Sequence, residues 1–239
     1  MSLKIGLIGG VGWPATIAYY DAICRAARKD GETGSPEMTI ESLDMARALA
    51  ALGQPGDDAS WDAFDRMFQD ALDSLEAANC DFAAIASVTP HIRLDAITEG
   101  SRLPIVSIMD AVAANLLGHP ATQVVVLGTK PTMEGTLFDG MLQGLGKTVR
   151  RANNAEATAF TDLLETYFYA GRAEAGRDAL ITYVKSTFGE AGDLMCVLAC
   201  TDLAPAFPDT AGQTAFNVDG IHFLDATAAH VAAILEAAA

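Results

Sequence analysis

The stretch QVVVLGTKPTMEGTLFDGML, residues 123–142, decides the fold, because it repeats an arrangement already present at the start of the chain. There, KIGLIGGVGWPATIAYY (4–20) runs from a short apolar segment through a turn of small residues into a helix-forming segment. An apolar run of four to eight residues closed by glycine reads as a buried strand. Proline just inside a following amphipathic segment marks a helix start. The second copy has the same order: VVVL, then GT, then Pro131 and a helical pattern.

Outward from this repeat, strand and helix signals alternate. KIGLIGG (4–10) reads as a first strand, and PATIAYYDAICRAARKDG (14–31) as a helix with Gly31 as its stop. MTIESLDM (38–45) is a second strand. WDAFDRMFQDALDSLEAA (61–78) has apolar residues at spacings of three and four, the signature of an amphipathic helix. FAAIAS (82–87) and PIVSI (104–108) are further strands, the latter followed by the helix AVAANLLG. Past the restart come a long helical region from about Ala155 to Phe188, the strand DLMCVLACT (193–201) and a last helix, HFLDATAAHVAAILEAAA (222–239). Strands separated by helices imply parallel sheets with right-handed crossovers, an α/β fold.

The restart reads as an internal duplication. Gly9 pairs with Gly128, and Ser87 of IASVTPH (85–91) with Cys200 of LACTDL (198–203), at similar separations along the chain. Two pseudo-symmetric lobes are expected, each a parallel sheet flanked by helices. Lobe 1 spans 1–115 with a C-terminal helix, 212–239, returning to it, and lobe 2 spans 116–211. Ligands of open α/β sheets bind beyond the carboxyl ends of the strands. A cleft between the lobes, with Ser87 and Cys200 facing each other, is the expected site.

Composition narrows the function. Hydrophobic residues make up 51% of 239, ample for a core. The formal net charge of −16 argues against nucleic acid, which requires a basic face. No apolar run is long enough to span a membrane. MSLKIGLIGGVGW leads directly into a glycine turn and reads as a strand rather than a leader. Cys24, Cys80, Cys196 and Cys200 lack metal-type spacing and form no disulfide framework, so reduced thiols in the cytoplasm are expected. An anionic substrate would have to be met by local donors: helix N-termini and single Arg or Lys side chains.

Cysteine is suited to carbon-proton transfer, since its thiol ionises near pH 8.5 and a cation or helix N-terminus lowers that further. Cys24, Cys80 and Cys196 fit the ordinary fate of a small buried hydrophobe. Cys200 fits it less well, because Thr201 and Asp202 turn the chain polar there, which suits a partly exposed thiolate. His91, four residues after Ser87, could orient or protonate a partner, or cap a helix. His222, at the start of the last helix, could face the cleft or serve as a cap. GLIGGVGWPAT (6–16) lacks the GxGxxG spacing of dinucleotide sites. It reads instead as a tight turn presenting backbone N–H groups and Thr16 to a small anion.

In order along the chain, GLIGGVGWPATIAYY, the S-V-T-P-H turn, PIVSIMDAV, VVVLGTKPTMEGTLFDGML and LACTDL resemble the aspartate/glutamate racemase family. The likeness runs from residue 4 to about 236. It implies a cofactor-independent enzyme of two pseudo-symmetric lobes, in which one cysteine per lobe flanks the substrate Cα. By motif match Cys200 takes one catalytic place, while Ser87 stands where the family usually has the other cysteine. Val88 replaces a substrate-contacting asparagine, and Asn217 a usual aspartate. The resemblance assigns carboxylate recognition to Thr16, Thr89, Thr129 and Thr201, and places Arg47 or Lys130 near a side-chain carboxylate. His91, Asp202 and His222 are supporting candidates.

The expectation is a PLP-independent amino-acid racemase for aspartate, glutamate or a related small amino acid. Serine is a far weaker acid than cysteine, so the enzyme should be one-sided. The alternatives are a single-cysteine lyase (a decarboxylase) or isomerase of a small dicarboxylate, and a non-catalytic amino-acid binding protein. The expected partners are a small amino-acid or dicarboxylate substrate and a second copy in a homodimer, with no metal, cofactor, nucleic acid or membrane.

Overall fold

In the computed structural model, residues 3–28, 34–54, 56–189 and 192–239 are described. The elements in chain order are β1 (Ile5–Gly9), α1 (Trp13–Ala27), β2 (Met38–Ser42), α2 (Met45–Ala50), α3 (Asp62–Ala77), β3 (Phe82–Ile85), α4 (Leu94–Ile97), β4 (Ile105–Val106) and α5 (Ile108–Leu116). They continue with β5 (Gln123–Leu127), α6 (Lys130–Glu134), α7 (Asp139–Gly144), β6 (Thr148–Arg150), α8 (Asn154–Leu163), α9 (Ala173–Phe188) and β7 (Leu194–Leu198). Last come β8 (Ala215–Val218), β9 (Ile221–Asp225) and α10 (Ala226–Ala238). The expected helix stop at Gly31 lies outside the described residues.

The chain divides into two units, Met1–Ile108 with His230–Ala239, and Met109–Ala229. Unit 1 carries a four-stranded sheet in the order β2-β1-β3-β4, all parallel. Its central strands are apolar throughout because both faces are covered. Alternation sorts the side chains. Ile8, Ala83 and Ile85 pack against Phe64, Phe68, Leu72 and Leu75 of α3. Ile5, Leu7, Phe82 and Ala84 pack on the other face against Tyr19 and Ile23 of α1 and Val231 and Ile234 of α10. Each fully buried side chain of this size contributes about 1.5–3 kcal/mol.

Unit 2 carries a five-stranded sheet in the order β6-β5-β7-β9-β8, with only β8 antiparallel. Val125, Leu127, Cys196 and Leu198 meet Phe160, Leu164, Phe168, Leu180 and Val184 in its core. Cys196 is thus the packed hydrophobe expected of it. The order β6-β5-β7-β9 repeats β2-β1-β3-β4, so β3 and β7 hold corresponding central places. Ser87 lies two residues beyond the end of β3, and Cys200 two residues beyond the end of β7. The duplication read from the sequence is therefore visible strand by strand.

Four expectations change. The segment after residue 212 does not return whole to the first lobe: β8 and β9 extend the sheet of unit 2, and only His230–Ala239 belongs to unit 1. The division likewise falls after Ile108, not at 115. The last helix starts at Ala226, because IHFLD is a strand hairpinned to AFNV. Asp219 (φ 52°) and Gly220 (φ 83°) form the two-residue turn between them, and Asp-Gly accepts two positive φ angles readily. Finally, the long helical region breaks into α8, a π-helical turn at Leu164–Phe168, and α9.

Candidate active site

In unit 1 the carboxyl ends of β1, β2 and β3 bring Thr16, Arg47 and the Ser87 turn to one edge of the sheet. Gly10 ends β1 at φ +81°, where a Cβ would overlap the backbone of Leu43. Its N–H donates to Thr16 Oγ1 at 2.8 Å, and that hydroxyl donates to Gly12 O at 3.2 Å. Thr16 therefore stitches the glycine turn, with its hydroxyl already engaged. Leu43 N–H donates to Gly9 O at 2.9 Å, which docks the entry to α2 beside the same turn. Arg47, on α2, is exposed, and its guanidinium pairs with none of the described residues.

Ala86 N–H donates to Ile8 O at 2.9 Å, so the chain leaves β3 pinned to β1. Ser87 comes next, half-buried, and its hydroxyl bonds to no described residue. Val88, Thr89 and His91 are buried behind it in a 3-10 turn, Thr89–Arg93. His91 Nδ1 lies 3.1 Å from Ser87 O. A carbonyl only accepts, so Nδ1 carries the proton and Nε2 is a bare acceptor, buried without a partner. Burial lowers the imidazole pKa to about 4, against the favourable pull of the Ser87 and Val88 carbonyls. The same logic fixes His230: Nε2–H donates to Val106 O at 2.8 Å, and Nδ1 accepts from Tyr19 O–H at 2.9 Å. The far side of the turn is held by Arg93, which bridges Asp65 at 2.8 Å and Asp58 at 2.6 Å and lies over the Trp61 ring.

In unit 2 the ends of β5 and β7 assemble Thr129, Cys200, Thr201 and Asp202. Ala199 and Cys200 both donate their N–H groups to Leu127 O, at 2.8 and 3.0 Å. Cys200 then opens the 3-10 turn Thr201–Ala206. Its Sγ donates to Asp202 Oδ2 at 3.9 Å, and Asp202, like Thr201, is 4% exposed. The sequence suggested a partly exposed thiolate; the structure corrects this. Cys200 is 6% exposed, and burial, followed by the adjacent Asp202 carboxylate, pushes its thiol well above the ordinary range. The Asp202 N–H acts in the opposite sense, too weakly to compensate. At rest Cys200 is a thiol that donates to a buried carboxylate.

Thr129 bonds through Oγ1 to Thr132 Oγ1 at 3.0 Å. Lys130 begins α6, exposed, and sits 3.9 Å from Glu134 in a helix-surface ion pair. His222 is not at a helix start: it lies in β9 opposite Met195, at the end of the strand away from Cys200. Its neighbour there is Asn217, whose amide lies 3.4 Å from His222 Nδ1 and accepts from Gly220 N–H in the hairpin. Neither belongs with the Cys200 group.

Sequence reasoning missed Tyr169. It comes directly after the π-helical turn and packs against the core cluster containing Cys200. Burial chiefly, then the electrostatic influence of Cys200 and Asp202, drives its phenol well above the ordinary value, so it stays a neutral donor. Periodicity hides such a residue, because one π turn shifts every later side chain around the helix axis.

The chain resembles known proteins over nearly its whole length. The family described as Asp/Glu/Hydantoin racemase matches residues 8–234. A broad-specificity amino-acid racemase of Bacillus subtilis is 26% identical over 149 residues, which are 61% of this chain and 63% of that protein. An aspartate racemase homologue from Pyrococcus horikoshii superposes with a TM-score of 0.73 at 26% identity, covering 98% of both chains. The aspartate racemase of Picrophilus torridus, at 16% identity, shares the fold with a TM-score of 0.77 over 99% of this chain and 94% of its own. With the match running through both units and both strand ends, the chain belongs to the Asp/Glu/hydantoin racemase family.

Proposed function

We propose that this chain is an amino-acid racemase that works without PLP, with Cys200 as its principal acid/base and Ser87 as the weaker partner in the matching position. The observation that carries this reading is the Cys200–Asp202 pair, a thiol donating to a buried carboxylate at the end of a central strand. In the proposed step Asp202 accepts the Sγ proton, and the sulfur lone pair then takes the Cα proton. The electron pair left on carbon delocalises into the substrate carboxylate. Backbone N–H groups and the threonines at the strand ends would stabilise it there. Ser87 O–H supplies the returning proton and is reprotonated from water, and the proton held by Asp202 neutralises the hydroxide so formed, which restores the enzyme. The reverse direction asks Ser87 to act as base, which no described neighbour makes easy, so one-sidedness shows in kcat, lower from the enantiomer whose Cα proton faces Ser87, while the two kcat/KM values stay equal because the enantiomers are equal in free energy. Aspartate or glutamate is the proposed substrate class, with the unpaired Arg47 guanidinium as the candidate for the side-chain carboxylate.

Proton NMR with single L- and D-amino acids in D₂O tests this. Loss of the Cα-proton signal with inversion on chiral chromatography is the expected result. Release of CO₂ from a malonate-type acid instead would make the protein a single-cysteine lyase. Saturable binding with no exchange would make it a binding protein.

A further inference from the structure

Asp225 and Thr227, at the carboxyl edge of the unit 2 sheet, each hold a polar atom that no described residue meets. Thr227, the second residue of α10, is 4% exposed, and its Oγ1 is buried without a partner. Asp225 Oδ1 accepts the N–H of Thr227 at 2.8 Å and that of Ala228 at 3.1 Å, and so caps α10. Asp225 Oδ2 accepts from no described residue, and the carboxyl pairs with no Lys, Arg or His among them, although the residue is 8% exposed. A buried carboxylate is costly unless a cation or a full set of donors meets it. Here donors meet one oxygen only, and burial outweighs them, holding the carboxyl at about 6.

The register of the sheet places this pair. β9 runs parallel to β7, with Phe223 opposite Cys196 and Asp225 opposite Leu198. Registered partners point to the same face, and Cys196, Leu198, Cys200 and Phe223 share one core cluster. Asp225 thus stands on the strand beside that of Cys200, two residues short of it in register and on its side of the sheet. The carboxyl edge is also where α/β sheets take ligands. The bond from Thr227 N–H holds the carboxyl against the residue whose hydroxyl is bare, so one ligand group can meet both. A second carboxylate would be repelled, and a water would bring no charge. A primary ammonium brings three N–H donors and the missing positive charge.

We infer that Asp225 and Thr227 seat the α-ammonium group of the substrate, which donates to Asp225 Oδ2 and Thr227 Oγ1 beside the strand that carries Cys200. This rests on the proposed function in taking an amino acid as the ligand. The contact does more than bind. A carboxylate at the nitrogen keeps it protonated, and the positive charge next to Cα eases loss of the Cα proton.

The test separates the ammonium from the rest of the ligand. Asn caps a helix as Asp does, so Asp225→Asn keeps α10 and removes the charge; Thr227→Val keeps the shape and removes the hydroxyl. Calorimetry compares L- and D-aspartate and L- and D-glutamate with succinate and glutarate, the same diacids without nitrogen. The expected result is an amino acid bound by the native chain, weakened about 10²-fold by Asp225→Asn and about tenfold by Thr227→Val, with the diacids bound no more weakly by either variant. The Asp225 carboxyl, followed by ¹³C NMR, should also titrate at lower pH with the amino acid bound and not with the diacid. Equal losses for amino acid and diacid would overturn the inference, as would no loss, or no binding of any of the four amino acids. Because binding is read without turnover, an Asp225-dependent preference in a protein that exchanges no Cα proton would sink the racemase reading and leave this site standing. Cα exchange with an unchanged KM in Asp225→Asn would do the reverse.

Discussion

His91 donates through Nδ1 to the carbonyl of Ser87, 3.1 Å away, and so ties the turn after β3 back to its own first residue. The bond requires a ring with its proton on Nδ1, and the buried ring resists taking a second. Free His ionises near 6.5, while His91 is lowered to about 4 and His230 to about 3, in both cases chiefly by burial. In unfolded chain both rings take up protons below about 6.5; in the folded protein they do not.

Stability should therefore be full above pH 6.5 and fall as pH drops toward 4. His91 alone accounts for about 3 kcal/mol of this by proton linkage. Asp225 works in the opposite sense. Burial raises its carboxyl to about 6, so its folded form binds a proton more readily than the unfolded chain, and it favours the fold as pH falls from 6. Denaturant midpoints measured between pH 7 and 4 should decline, and should decline less steeply in His91→Asn, whose amide can replace the Nδ1 donor. An equal slope in the variant would remove His91 from the acid transition.

Replacing Asp202 by Asn separates its two effects on Cys200. The negative charge that holds the thiol up is gone, so labelling of Cys200 should begin at lower pH. The acceptor for the Sγ proton is gone as well, so Cα exchange should fall by about 10²-fold, the usual contribution of a positioned base. Faster labelling with undiminished exchange would mean the proton leaves by another route.

Ser87→Cys should bring the two directions of racemisation closer to equal by giving both positions a thiol, as judged by initial rates from each enantiomer. Cys200→Ala should abolish exchange in both. An unchanged ratio in the first variant would refute the account of one-sidedness.

Arg93→Ala should destabilise unit 1 by about 3 kcal/mol, because Asp65 would be left buried without its cation. The double variant Arg93→Ala with Asp65→Ala should recover part of that loss in urea unfolding. If the single variant costs nothing, the ion pair is not what holds the Ser87 turn.

The features legible in the sequence are those that a local pattern specifies fully. β1, β3, β5 and β7 are apolar runs closed by small residues, and α3 carries its buried face at regular helical spacing. The β8–β9 hairpin was hidden because IHFLD runs without a break into ATAAHVAAILEAA; the Asp-Gly pair at 219–220 was the available signal. The π turn gives no local sign, so Tyr169 could not be found. The position of Cys200 and Asp202 just beyond a strand is legible, but the thiol's ionisation depends on how deeply β7 is packed, which no spacing records.

The outer strands of both sheets carry a further consequence. β4 has two residues, and His230 already occupies the carbonyl of Val106; β6 has three; β8 ends a tight hairpin beside Asn217. A sheet edge recruits a stray strand only through a run of unpaired N–H and C=O groups. At β4 and β6 the margin is too short to offer one, so among the described residues a stray strand could pair only along the five-residue β2 or the four-residue β8, and each sheet keeps one margin sealed against it in a concentrated solution.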